Sequence, residues 1–291
     1  MIPGSFDYHA PSSVDEALGL LAKHGDAAKI LAGGQSLIPA MRFRLASPDV
    51  LVDINRISGL AYVEERGDHL AIGALTREVM LEDTPIIARS YPLLHDTAMV
   101  IADPIVRNRA TVCGNIAHAD PANDHPATML AYDATVIARS PKGQREIAID
   151  EFFTGLFENS LAKGELLTEL RIPKPGPGSG GAYLKIERKV GDYAVAAVAV
   201  QLRLAAGKIA AIRIGLTNVS AVPMRAQAAE AILRGSTGDD ATLEAAGQKA
   251  AAECDPSADL RGMVDYKRDL VRVLIKRTVR RALVRAKGGQ P

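Results

Sequence analysis

Two periodicities alternate along the chain, and they predict its elements. Apolar residues recur at helical spacing over 14–24, after Ser12 and Ser13 as caps and before Gly25 as a stop. Short apolar runs at 29–32 and 50–54 read as strands, with a short helix over 38–45 between them. Two more strands, 61–64 and 69–73, flank Arg66-Gly67-Asp68 as a hairpin. Residues 86–102 hold one or two helices, with Pro92 marking a first turn or a break. Residues 111–116 and 135–138 read as strands around a helix near 127–132.

The stretch from Pro173 to Gly181, PKPGPGSGG, argues against a regular element and reads as a linker or a long exposed loop. Strand-like runs follow at 183–187, 195–204 and 209–217, with Ala205-Ala206-Gly207-Lys208 turning between the last two. The chain then becomes helical over 224–234, 241–253 and 266–285. This divides it into residues 1–176 and 177–286, with an α+β pattern in the second part. The last helix is strongly basic. Its spacing makes it amphipathic, with Leu270, Val273 and Leu274 inward and Arg272, Lys276 and Arg280 outward. No aromatic residues are interleaved to stack on nucleic acid.

Composition narrows the function classes. Of 291 residues 47% are hydrophobic and 24% charged, and the net charge of +1 gives no electrostatic case for nucleic acid or an anionic membrane. The N-terminus has no signal-peptide pattern and no apolar run approaches a membrane span, so a cytoplasmic location is expected. Cys113 and Cys254 are the only cysteines and the six histidines show no HxxxH or HExxH spacing, so neither an iron–sulfur cluster nor a metal site is expected in this chain.

Two loops carry the candidate chemistry. Ala32-Gly33-Gly34-Gln35-Ser36 joins a strand to a helix with two adjacent glycines. Such a turn can serve geometry alone. It can also expose backbone N–H groups to a diphosphate, with the helix's positive end facing the same point. The spelling matches neither GxGxxG nor a P-loop. The second stretch, DPIVRNRATVCGNIAHADPAND at 103–124, again brings an apolar run into a small-residue loop at Gly114 and Asn115. Asp124 can accept hydrogen bonds from ribose hydroxyls, whereas Asp120 reads as a helix cap.

Together AGGQS at 32–36 and TVCGN at 111–115 resemble the AGG[HTQ]S and T[IV]GGN loops of the FAD-binding medium subunits of molybdenum hydroxylases, the family of carbon monoxide and xanthine dehydrogenases. The likeness also takes in Phe6-Asp7-Tyr8, GELLTELRIP at 164–173, and Lys185, Arg188 and Gly191-Asp192-Tyr193, and so covers essentially the whole chain. It implies an α+β fold: a two-subdomain FAD site of the vanillyl-alcohol oxidase/p-cresol methylhydroxylase type, then a domain with a three-stranded sheet and helices.

By the same resemblance Leu31, Ala32, Gly33, Gly34, Gln35, Ser36 and Leu37 would wrap the FAD diphosphate from one side, and Thr111, Gly114 and Asn115 from the other. Asp124, Leu167 and Lys185 would contact FAD, Lys29 and Ala102 would line its walls, and Tyr193 would stand near the isoalloxazine. No residue of this chain would perform acid–base catalysis. The implied partners are a small 2Fe–2S subunit and a large molybdopterin subunit, in a dimer of heterotrimers. Electrons would leave to a quinone or cytochrome, at the inner face of the membrane if the complex reaches it. The alternative is a self-contained flavin oxidase or dehydrogenase of a small organic substrate.

Two departures from the family pattern stand out. Cys113 replaces the first Gly of GGN, so either its Cβ narrows the loop or its thiol faces an apolar pocket. Gln35 replaces a common His or Thr, which removes any histidyl–flavin bond there, and His118 reads as a loop hydrogen-bonding residue.

Overall fold

The computed structural model describes residues 2–289; Met1, where the first expected domain begins, lies outside them. The chain opens with β1 (Asp7–His9), α1 (Val14–His24), β2 (Ala28–Leu31), α2 (Leu37–Arg42) and β3 (Val50–Asp53). The three strands form a parallel sheet in the order β1-β3-β2. Ser13 caps α1 by accepting from the Glu16 N–H at 3.1 Å, and Ala17, Leu18 and Leu21 face the core. In a parallel sheet all strands end on one side, so the loops after β2 and β3 emerge together.

A second, five-stranded sheet follows, built from β4 (Val63–Arg66), β5 (His69–Gly73), β6 (Thr135–Ser140), β7 (Gly143–Ala148) and β10 (Leu166–Pro173). The predicted hairpin is present, with Arg66 opposite His69. Between β5 and β6 run six helices: α3 (Glu78–Asp83), α4 (Pro85–Ser90), α5 (Pro92–Val100), α6 (Pro104–Arg107), α7 (Val112–His118) and α8 (Asp124–Tyr132). A small hairpin of β8 (Phe153–Gly155) and β9 (Glu158–Asn159) precedes β10. Residues 111–116, expected as a strand, are mostly helix. Val112, Cys113 and Ile116 are buried at one-, three- and four-residue spacing, the face of a helix, and a run this short does not display its period in sequence.

The C-terminal part carries β11 (Ser179–Ile186), β12 (Ala196–Ala205), β13 (Lys208–Thr217) and β14 (Met224–Arg225), then α9 (Gln227–Leu233), α10 (Asp240–Glu253) and α11 (Val264–Ala286). The expected three strands are joined by the two-residue β14, so the helix read from 224 begins only at Gln227. The Pro/Gly stretch is less of a linker than its composition predicts: β10 runs through Pro173 and β11 starts at Ser179. Gly180 stands in that strand because a Cβ there would lie 2.1 Å from the Ala282 carbonyl oxygen of α11. Its glycine serves close packing. In α11 the buried stripe is Val271, Leu274, Ile275, Thr278, Val279, Ala282 and Leu283; Leu270 packs at its edge, and Val273 is not part of it.

The β11–β13 sheet is covered on both faces. Tyr183, Ala197 and Ala199 join the core of the first part, while Ala182, Ala196, Val198 and Val200 join a second core with α9–α11. A doubly covered strand shows no polar alternation, which accounts for the run AVAAVAV at 194–200. Across this junction α8 lies on β13, and a Cβ on Gly215 would fall 2.0 Å from the Ala127 carbonyl oxygen. Gly215→Ala should therefore lower the unfolding free energy by about 2–3 kcal/mol through overpacking against helix backbone. Denaturant unfolding checks this; a variant as stable as wild type would show that α8 does not seat so closely.

Candidate functional site

The first loop leaves β2 at Leu31 and turns at Gly34, whose φ of +77° suits glycine. The Gly34 carbonyl accepts from Ile38 N–H at 3.0 Å, and that of Ala32 from Asn55 Nδ2 at 2.8 Å. Asn55, just past β3, is itself oriented by Asp53 Oδ1, which accepts from its backbone N–H at 2.9 Å. Tyr8 donates to the other Asp53 oxygen at 2.6 Å. Ser36 precedes α2 with its hydroxyl making no capping bond. Gln35 is exposed; Leu31, Ala32, Ser36 and Leu37 are half-buried.

The second loop abuts the first. Thr111 caps α7 by accepting from the Gly114 N–H at 3.2 Å. A Cβ on Gly33 would fall 2.5 Å from the Arg109 carbonyl oxygen and 2.9 Å from the Ala110 Cα. The two glycine loops thus touch backbone to backbone, with no room for a side chain between them. Asn115 follows Gly114 in α7; its Oδ1 is buried and has no hydrogen-bond partner in the chain. Its backbone carbonyl accepts from Asn123 Nδ2 at 3.2 Å, which joins the loop to the start of α8.

There, Asp124 is buried in the first turn of α8. Tyr183 donates to its Oδ1 at 2.6 Å and Lys185 Nζ to its Oδ2 at 3.1 Å. Burial pushes the Asp124 carboxyl above its usual range, opposed by Lys185 and Tyr183. Lys185 also donates to the Val100 carbonyl at 3.0 Å and faces Glu187 at 3.3 Å. Ala102 stands two residues on with a φ of +47°, and Gly191 approaches so closely that a Cβ there would lie 2.7 Å from the Ala102 oxygen. The loop that carries Gly191 also brings Tyr193, whose ring faces the Arg261 guanidinium at 5.2 Å.

The structure therefore groups residues 31–37 with 111–115, and Asp124, Lys185, Ala102 and Tyr193 beside them. Leu167 is buried in β10, the strand that α7 packs on. Lys29 instead lies exposed on the outer strand β2, within the electrostatic reach of Asp26. Asp120 makes a short turn, accepting from Ala122 N–H at 2.8 Å, and caps no helix. His118 is helical and packs on Phe157 at 5.1 Å, in place of the loop hydrogen bond expected of it; burial lowers its pKa.

Asn55, Asn123 and Tyr183 escaped sequence reasoning. Tyr183 alone left a signal, two residues before Lys185 on the same face of β11.

The residues fit a dinucleotide. Two glycine backbones at touching loops, an unspent hydroxyl at Ser36 and the unpartnered Asn115 oxygen are the parts a diphosphate and its sugars need. The model of the FAD binding domain in molybdopterin dehydrogenase matches residues 4–175, and that of the CO dehydrogenase flavoprotein C-terminal domain matches 181–282. The chain belongs to the FAD-binding medium subunits of the molybdenum hydroxylases. As a member of that family it is an oxidoreductase subunit with FAD as its cofactor.

Among relatives, it is 43% identical over 285 residues to the carbon monoxide dehydrogenase medium chain of Hydrogenophaga pseudoflava, covering 98% of this chain and 99% of that one. The 6-hydroxypseudooxynicotine dehydrogenase complex subunit alpha of Paenarthrobacter nicotinovorans is 41% identical over 288 residues, covering 99% and 97%. The solved carbon monoxide dehydrogenase from Hydrogenophaga pseudoflava that lacks the Mo-pyranopterin moiety matches with a TM-score of 0.96 and 46% identity over 98% of this chain and 99% of that one.

Where the family has the first Gly of GGN, Cys113 turns its side chain away from the loop. Its Sγ points into the core toward the Ile72 and Gly73 carbonyls at 3.6 and 3.5 Å, and burial pushes the thiol pKa far up. Cys113→Gly should leave flavin occupancy unchanged while costing about 1–3 kcal/mol in stability, from the lost buried group and the freer backbone. Flavin content and thermal unfolding of the pair test this. A marked rise in occupancy would mean that the Cβ does narrow the loop.

A second prediction concerns pH. Hydrogen bonds from Arg261, the Tyr193 N–H and Arg188 hold the Asp192 carboxyl down to about 2, against an ordinary 3.8. A depressed carboxyl stabilises the fold above its unfolded value, so this contribution is full above about pH 4 and fades as pH falls toward 2. Asp192→Asn should therefore melt below wild type at pH 6, with the gap closing near pH 2.5; a gap independent of pH would refute the ion-pair account.

Proposed function

We propose that this chain is the electron-relaying subunit of a carbon monoxide dehydrogenase-like molybdenum hydroxylase. It receives electrons from 2Fe–2S clusters on a small partner, fed by a molybdenum site on a large one, and delivers them to an external acceptor such as a quinone. Bound FAD supplies the one- and two-electron chemistry. The chain's own residues bind and orient it. The backbone N–H groups of residues 32–37 hold the diphosphate; Thr111, Gly114 and Asn115 close on the dinucleotide from the other loop, Asn115 with its unpartnered Oδ1 accepting from a hydroxyl; Asp124 accepts from hydroxyls, and Lys185 fixes it. Leu167 supplies an apolar wall, and Tyr193, partly exposed at 44%, stands where the flavin edge meets solvent.

The backbone contact between the two glycine loops is the observation that carries this reading. The family matches break between residues 175 and 181, which supports a domain boundary at 176/177. The chain's two cysteines are both buried, one in each core, so the clusters must come from other subunits. Relatives at 43% and 41% identity belong to enzymes of different names, carbon monoxide dehydrogenase and 6-hydroxypseudooxynicotine dehydrogenase. Likeness in this subunit therefore does not rank substrates, and the choice among them sits in the large partner. Among the described residues no helix is long and apolar enough to cross a membrane.

Affinity purification of the tagged chain from its native host tests the proposal. The expected product holds FAD, shows 2Fe–2S absorption and contains two further chains in equal amounts, as a dimer of heterotrimers. A lone yellow protein whose flavin is reduced directly by a small organic compound would overturn it in favour of a self-contained oxidase.

A further inference from the structure

The Arg109 carbonyl that meets Gly33 also accepts a side-chain hydrogen bond. Arg77 supplies it: its Nη1 donates to that oxygen. Its Nη2 donates to Asn55 Oδ1, and Asn55 Nδ2 in turn donates to Ala32 at 2.8 Å. One guanidinium thus closes a ring through both glycine loops: Arg77, Arg109, Gly33, Ala32, Asn55 and back. Arg77 is itself held firmly. Its backbone bridges Thr111, Glu78 N–H donates to Ala110 at 3.0 Å, and Val112 N–H donates to Thr76 at 3.1 Å.

Its electrostatic setting is as telling. Among the described residues no carboxylate lies within ion-pair distance of Arg77, although the chain pairs most of its other buried cations. Burial and the neighbouring Arg109 both push its pKa below the ordinary value, and Asp53 offsets this only from a distance. A half-buried guanidinium with a cation beside it and no contacting anion is an unfavourable arrangement for the chain by itself. An arriving anion relieves it.

Resting on the FAD reading of these loops, we propose that Arg77 is a positioning residue for the FAD diphosphate: it locks the two loops in contact and leaves beside them a positive charge that no carboxylate contacts. Only arginine does both, since its planar fork reaches two acceptors at once and lysine's single nitrogen does not.

The test compares FAD binding to flavin-stripped full-length chain across a salt series, with the melting temperature of each stripped protein. Arg77→Gln should weaken FAD about tenfold or more and flatten the salt dependence, as expected when a charge that favours an anion is removed. Arg77→Lys should keep the wild-type salt dependence and stripped-state melting temperature yet still bind FAD several-fold more weakly. Asn55→Ala, which opens the ring on the other side, should resemble Arg77→Lys. If Arg77→Lys binds FAD as tightly as wild type, the bridging role is wrong; if Arg77→Gln keeps the wild-type salt dependence, the charge role is wrong. Wild-type chain that binds no FAD would instead refute the functional reading, a different result from tight binding in every variant.

Discussion

The rest of the site depends on one close approach, that of Gly33 to the backbone of residues 109–111. No L side chain fits there. The contact forces a glycine at 33 and sets the Arg109 carbonyl, which accepts from Arg77, against the first loop. It also joins two structures of different kind. The first loop issues from a parallel three-stranded sheet, whose strand ends all face one way. The second begins a helix lying on an antiparallel sheet of residues distant in sequence. Neither sheet alone makes the cradle. The site exists only where the two subdomains dock, and a small shift between them would open it.

The C-terminal sheet is bound to the same place by a related constraint. Its strands must satisfy two cores at once, so residues facing the first part are small or specific: Ala197 and Ala199 fill, Gly215 lets α8 in, and Tyr183 and Lys185 reach through to Asp124. A carboxylate drawn into an apolar helix start is costly unless paired. Asp124 has a phenol on one oxygen and an ammonium on the other, both from β11, and these two partners oppose the burial that raises its pKa. On the proposed reading of the site, the contacts that join the C-terminal sheet to α8 are also the ones that border the cofactor, which argues for one rigid unit there rather than two hinged lobes.

Much of this was legible in the chain. The parallel strands, the Arg66-Gly67-Asp68 hairpin, the helices around Pro92 and the three long C-terminal strands follow from apolar spacing and turn residues, and the two glycine loops followed from spelling. The misreadings have physical causes. Residues 111–116 were too short a run to show their period, and the buried stripe of α11 is set by which side α10 and the sheet occupy. At Gly180 the glycine reflects a helix pressed against a strand, a cause composition cannot separate from flexibility. Lys29 matched by position only, and its strand turned out to be an edge. Arg77 and Asn55 were invisible for a different reason: each acts through a partner more than twenty residues away, and nothing local marks it.

The distribution of charge also bears on what the chain does. Its titratable groups near the site are committed to one another or to backbone: Asp124 to Lys185 and Tyr183, Lys185 to Val100 and Glu187, Asp192 to Arg261 and Arg188. A general base needs a free lone pair within reach of substrate and a pKa near the working pH. Cys113 does not qualify, its thiol being buried in the core with a raised pKa. What these side chains can do is hold a large anionic cofactor rigidly and leave one edge to solvent near Tyr193. On the proposed relay reading, that is what electron passage requires, since distance and orientation decide its rate and no proton need be taken from a substrate.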